Sequence, residues 1–256
     1  MQNMLMTLSC MNVRGLVPRT VPSKIPYISD LLKESSQLAF ALTETWLSDH
    51  NAAELHIPGY SLYRQDRTRR RSKRGRDSGG VALYIRDDHA ISSEVVFTYG
   101  SGVIEAIGLM LKSLNLLLVV LYRQPDDRAH GHRSTSREFR HFLMKLDEFL
   151  ASQPSPVPDI VVMGDFNLPH GNWSIGSDIQ SASGDEGDMV DAMKELTSSH
   201  FLVQQVDCPT HKNGGTLDLI FTNNGELIHQ GQITFSLRYL PSIKNLRLWE
   251  WITLPR

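Results

Sequence analysis

Polar groups stand where apolar runs stop at five places along this chain: Asn12, Glu44, Tyr122, Asp165 with Asn167, and Asp218. Carboxylates and carboxamides are hard oxygen donors. They suit Mg2+ or Mn2+ and leave coordination positions for water and a substrate phosphate. Brought to one sheet edge, such groups would serve phosphoryl transfer or phosphodiester hydrolysis. Taken singly, each has a plainer reading: Asp and Asn at strand ends commonly bond their own backbone in turns. A tyrosine there commonly packs half-buried with its hydroxyl satisfied.

The elements that must position these groups show in the periodicity. Residues 5–13 form an apolar, strand-like segment, and Ile25, Ile28, Leu31 and Leu32 within 22–36 recur at helical spacing. Residues 38–42 read as a short buried strand that would leave Glu44 at a sheet rim. Residues 79–86, 93–98, 104–112 and 114–122 follow as β-like runs with short breaks, a pattern of antiparallel sheet. Thr135 and Glu138 have capping-box spacing, and Phe139, Phe142, Leu143, Leu146, Phe149 and Leu150 mark an amphipathic helix. The proline-rich stretch 153–158 ends it. A buried strand over 159–164, a helix over 189–199 and strands near Phe201 and Leu217 complete the series.

Helices separated by runs of strands predict an α+β layered domain, a sandwich of two sheets flanked by helices, rather than a doubly wound parallel sheet. The 256 residues can bury one full core, and 41% hydrophobic with 21% charged residues is an ordinary globular composition. No run approaches the roughly 18 apolar residues of a membrane span, so no membrane partner is expected. Two distant cysteines, Cys10 and Cys208, give neither a disulfide framework nor a thiolate metal site. The net charge of −2 conceals a basic cluster containing Arg67, Arg69, Arg70, Arg71, Lys73 and Arg74. Such a block can hold a phosphate backbone, act as a nuclear localisation signal, or form a solvated loop.

The spellings around these positions narrow the reading. Asn12-Val13-Arg14-Gly15, Thr43-Glu44-Thr45-Trp46-Leu47, Gly79-Gly80-Val81-Ala82, Leu121-Tyr122-Arg123 and Gly164-Asp165-Phe166-Asn167-Leu168-Pro169 occur in that order. Together they resemble the endonuclease/exonuclease/phosphatase family. With His170 and Gly215-Thr216-Leu217-Asp218-Leu219-Ile220, the chain looks most like the endonucleases of non-LTR (LINE-type) retrotransposons. The resemblance covers about residues 5–224 and implies a four-layered α/β sandwich with its catalytic groups at one end. It implies Asn12 and Glu44 near a Mg2+ or Mn2+ ion, Glu44 being the main carboxylate ligand. It further implies Asp165 on the attacking water, Asn167 on the phosphate, Tyr122 on the phosphate or leaving group, and Asp218 orienting a histidine. The implied partner is the DNA backbone, with no nucleotide cofactor.

That histidine belongs to a closing Ser-Asp-His motif, yet no Asp-His pair follows residue 224. Ser236-Leu237-Arg238-Tyr239 stands near the right place, so Leu237 and Arg238 read as a degraded motif or as part of an unrelated tail. His170, His211 and His229 read as polar surface rather than replacements. The expected division is an endonuclease-like domain over 1–230 and a divergent tail over 231–256, in which the alternation over 232–239 could still supply a final strand and poor order is expected beyond Pro241. A DNA-nicking endonuclease with reduced or lost activity is the leading expectation. A same-fold phosphodiesterase acting on phospholipid, inositol phosphate or abasic DNA is the alternative enzyme. An inactive nucleic-acid-binding fragment is the alternative of another class.

Overall fold

A computed structural model describes residues 6–17, 22–35, 37–48, 54–67, 78–126, 135–173, 176, 185–206, 208–211, 214–227, 229–234 and 248–253. Within them the chain builds β1 (Met6–Asn12), α1 (Ile25–Ser35), β2 (Ala39–Thr43), β3 (Tyr60–Gln65), β4 (Val81–Arg86), the single turn α2 (Asp87–Ala90) and β5 (Ser93–Gly100). Then come β6 (Ile104–Leu111), β7 (Leu116–Arg123), α3 (Ser136–Ala151), β8 (Asp159–Asp165), α4 (Asp185–Ser199), β9 (Val203–Gln204), β10 (Asp218–Thr222), β11 (His229–Thr234) and β12 (Leu248–Thr253). These strands form two six-stranded sheets, ordered β11-β12-β1-β2-β4-β3 and β5-β6-β7-β8-β10-β9.

Both sheets are mixed: β1 runs parallel to β2 and β7 parallel to β8, while the other pairs are antiparallel. The period-2 alternation of strands explains the layering. In β7, Leu116, Leu118, Val120 and Tyr122 join the core between the sheets, whereas Leu117, Val119 and Leu121 join Phe139, Phe142 and Leu146 of α3 and Met189 and Met193 of α4. On the far side of the first sheet, Ile28 and Leu32 of α1 pack with Phe40, Leu42 and Tyr84. The result is helix, sheet, sheet, helices, the four-layered sandwich expected from the sequence.

Three local expectations are corrected. The strand β3 has no counterpart in the sequence reading, because all its residues are half-buried and its Tyr-Ser-Leu-Tyr-Arg-Gln spelling lacks a clean apolar face. No side-chain cap closes the start of α3. The Thr135 hydroxyl instead donates to Asp126 Oδ1 at 2.8 Å and accepts from Arg123 Nη2 at 2.6 Å. The stretch beyond Pro241, read as poorly ordered, supplies β12, which pairs Met6↔Thr253 through Met11↔Leu248 along β1. That pairing covers backbone donors and acceptors that β1 would otherwise expose as an edge.

Candidate active site

The C-terminal ends of β1, β2, β7 and β8 and the start of β10 meet at one end of the sandwich, as their register shows. Asn12 lies opposite Thr43, Tyr122 opposite Asp165, and Asp165 opposite Asp218. Three loops then zip together beside β1 and β2. Gly15 N–H donates to the Glu44 carbonyl at 2.7 Å, Leu16 N–H to that of Thr45 at 2.9 Å, and Trp46 N–H to that of Gly79 at 2.9 Å. Glu44 leaves β2 with φ +53° and Trp46 has φ +54°, a left-handed backbone that such residues adopt only when their surroundings hold it. The buried Lys24 ammonium secures the neighbouring turn by donating to the carbonyls of Val13 and Arg14.

These ends frame an open cleft of about 810 Å³ lined by Asn12, Arg14, Glu44, Asp126, Asp165, Asn167, His170, Glu186, His211 and Asp218, among others. At its floor the Asn12 carboxamide bridges two carboxylates, its Nδ2 donating to Glu44 Oε1 at 2.8 Å and to Asp165 Oδ2 at 2.9 Å. Asp165 Oδ1 accepts the Asn167 N–H at 3.2 Å. The step into Asp165 requires glycine at position 164: its φ is +144°, and a Cβ would stand 1.9 Å from the Leu121 carbonyl oxygen. The register that aligns Tyr122 with Asp165 thus depends on a side chain being absent.

Electrostatics follow from crowding acids in a buried place. Burial first, then the charges of Asp218 and Glu44, push the Asp165 carboxyl well above the usual carboxylate range, against the hydrogen bonds from Asn12 and Asn167. Burial raises the Tyr122 phenol, with Glu44 and Asp165 adding to it, so the hydroxyl stays a proton donor at neutral pH. Among the described residues no three His, Cys, Asp or Glu side chains cluster closely enough to hold a metal by themselves. The donors present are hard oxygens, and a positively polarised N–H already sits between two carboxylates. That set fits a hard divalent cation.

The sequence-derived candidates therefore separate. Asn12, Glu44, Asp165, Asn167 and Asp218 line one cleft; Tyr122 is buried behind it, only 4% exposed. Arg67, read as a nucleic-acid contact, is corrected. Its side chain is buried, and it donates to Glu105 Oε1 and Oε2 at 2.7 and 2.9 Å and to Gln124 Oε1 at 2.8 Å. Its guanidinium also lies over the Tyr122 ring, 5.6 Å from the centroid. A charge so enclosed cannot also reach a duplex. Arg69, Arg70, Arg71, Lys73 and Arg74, and likewise Leu237 and Arg238, lie outside the described residues.

Two residues escaped the sequence reading. Thr210, 1% exposed, accepts the backbone N–H groups of Leu217 at 2.6 Å and Asp218 at 2.9 Å on its hydroxyl, fixing the entry of β10 into the cleft. Arg123 is a fully buried arginine behind Asn167. A charged residue ending the apolar run of β7 was the available sign for it.

Against known proteins, the sequence profile described as the Endonuclease/Exonuclease/phosphatase family matches residues 11–237. No curated protein matches the chain at a significant level. Among solved structures, the AP endonuclease LMAP from Leishmania major is similar with a TM-score of 0.65 and 12% identity, covering 98% of this chain and 88% of that one. The endonuclease domain of TRAS1, a telomere-specific non-LTR retrotransposon, gives 0.57 at 11% identity, covering 97% and 98%. The 3′ phosphatase NExo from Neisseria, bound to product DNA hairpin, gives 0.63 at 14% identity, covering 96% and 98%. Identities this low show a shared fold, and the three proteins differ in activity.

Proposed function

Because the chain belongs to the endonuclease/exonuclease/phosphatase family, we propose that it is a metal-dependent phosphodiesterase of the DNA-nicking, retrotransposon type, its activity reduced or lost with the closing Ser-Asp-His motif. The observation that carries this reading is the Asn12 carboxamide shared between Glu44 and Asp165 at the floor of an open cleft. Asn12 and Glu44 would hold Mg2+ or Mn2+, which would supply Lewis acidity and stabilisation of developing negative charge there. Asp165, buried and basic for a carboxylate, positions the attacking water and takes its proton. Asn167 contacts the phosphate, and the protonated Tyr122 hydroxyl donates toward the phosphate or leaving group. Asp218 would orient a basic partner; with no Asp-His pair after it in the sequence, a proton-transfer group is missing, a loss on the order of 10² to 10⁴ in rate.

DNA is the substrate best supported, since the similar structures include an AP endonuclease, a retrotransposon endonuclease domain and a 3′ phosphatase bound to a DNA hairpin. The basic run around Arg69, Arg70, Arg71, Lys73 and Arg74 would add backbone affinity that falls steeply with salt. The test is nicking of supercoiled plasmid in Mg2+ or Mn2+ by the parent, Glu44→Ala, Asp165→Ala, and the double change Leu237→Asp with Arg238→His. Weak nicking that both alanine variants abolish and the double change strengthens is the expected result. Folded protein that never nicks, with or without the double change, refutes the enzyme reading. Salt-dependent DNA binding unchanged in Glu44→Ala would then identify a binding fragment.

A further inference from the structure

Arg123 ends β7, and its side chain is wholly excluded from solvent. Burying a guanidinium is costly unless its donors are taken up, and an apolar side chain of similar volume would fill the same space without that cost. The donors are taken up by residues of the cleft and its rim. Nη1 donates to the carbonyls of Asn167 at 2.7 Å and Phe166 at 3.3 Å. Nη2 donates to Asp126 Oδ2 and Thr135 Oγ1, each at 2.6 Å. The guanidinium lies over the Phe139 ring, 5.6 Å from the centroid, and Nε finds no hydrogen-bond partner among the described residues.

The exchange is reciprocal, because Asn167 Nδ2 donates back to the Arg123 carbonyl at 2.6 Å. Asn167 is thus held at its main chain and at its carboxamide by one residue, while its backbone sits at φ +49° in the left-handed region. Asp126, also on the cleft wall, is held by the same guanidinium and by the N–H and hydroxyl of Thr135. We propose that Arg123 is a positioning residue: it fixes the direction in which Asn167 presents its carboxamide and locks the loop after β7 to the loop after β8. The inference rests on the phosphodiesterase reading for what Asn167 contacts, but not for the clamp itself. Lysine cannot replace it, since four acceptors on four residues require the planar fork of arginine.

The test compares the parent with Arg123→Lys and with Leu146→Ala, a core truncation on α3 at a residue that does not line the cleft. Nicking kinetics in Mg2+, thermal unfolding and the NMR signals of the Asn167 carboxamide are measured on the full chain. Arg123→Lys should lower kcat about 10²-fold, the scale of a small misplacement of a contacting group, with KM for plasmid nearly unchanged. It should also abolish the slow exchange of the Asn167 carboxamide protons while the β8 backbone amides keep theirs. Leu146→Ala should lose stability but keep kcat. If Arg123→Lys loses activity only in step with its unfolded fraction, as Leu146→Ala would, or if its Asn167 carboxamide is unchanged, the proposal is overturned. If neither the parent nor the double change Leu237→Asp with Arg238→His nicks, the phosphodiesterase reading is overturned instead, and the Asn167 carboxamide in Arg123→Lys decides the clamp alone.

Discussion

Replacing Glu105 with alanine should be among the most damaging single changes away from the cleft floor. Glu105 is wholly buried on β6 of the second sheet, and its partner Arg67 follows β3 of the first, so the pair ties the two sheets together. The contact is two-pronged, at 2.7 and 2.9 Å, and Glu105 Oε2 also accepts the Gly80 N–H at 3.0 Å. Alanine would leave the guanidinium enclosed with Gln124 and Ser78 as its side-chain hydrogen-bond partners among the described residues and would strip Gly80 of its acceptor. Breaking one side of a buried pair costs about 3–5 kcal/mol. For a domain of this size each kcal/mol shifts Tm by about 2–4 °C, so a fall on the order of 10 °C is expected. Thermal and urea unfolding followed by circular dichroism would measure it. Converting both partners, Glu105→Leu with Arg67→Met, should recover most of the loss, short of the about 1–3 kcal/mol owed to the unpaired Gly80 N–H. A loss under about 1 kcal/mol for Glu105→Ala, or a double variant as unstable as the two single changes summed, would refute the account.

Thr210→Val should cost about 2 kcal/mol in urea unfolding, because two backbone N–H groups lose their shared acceptor, and should lower nicking by releasing Asp218. Burial pushes the Asp126 carboxyl up, but the Thr135 N–H and the nearby Arg123 charge outweigh it, and the carboxyl ends below its usual range. A depressed folded pKa stabilises above the unfolded value and loses that contribution as pH falls through the folded one. The stability gap between the parent and Asp126→Asn should therefore be widest above about pH 4 and close below it, as acid titrations of Tm would show. Mg2+ at about 100 times its Kd should stabilise the fold by about 2.7 kcal/mol, and a thermal-shift series should find that gain absent in Glu44→Ala.

The sequence by itself determined the alternation and apolar runs that became β1, β2, β4 to β8 and β10, and the helical spacing of α1, α3 and α4. It also placed Asn12, Glu44, Asp165, Asn167 and Asp218 at strand ends. These were legible because strand and helix periods are local and because a polar residue that stops an apolar run marks a sheet rim. Tertiary structure decided what depends on residues far apart in the chain. Arg67 lies 38 positions from Glu105, and only the stacking of two sheets turns it from a member of a basic run into a buried tie. Arg123 lies 44 positions from Asn167 and clamps it because β7 and β8 run parallel side by side. Thr135 had a capping spacing, but a buried guanidinium and the Asp126 carboxylate took up its hydroxyl. The edge strand β3 and the closing strand β12 depended on the neighbour each pairs with, since backbone pairing across a sheet leaves no period in either strand alone.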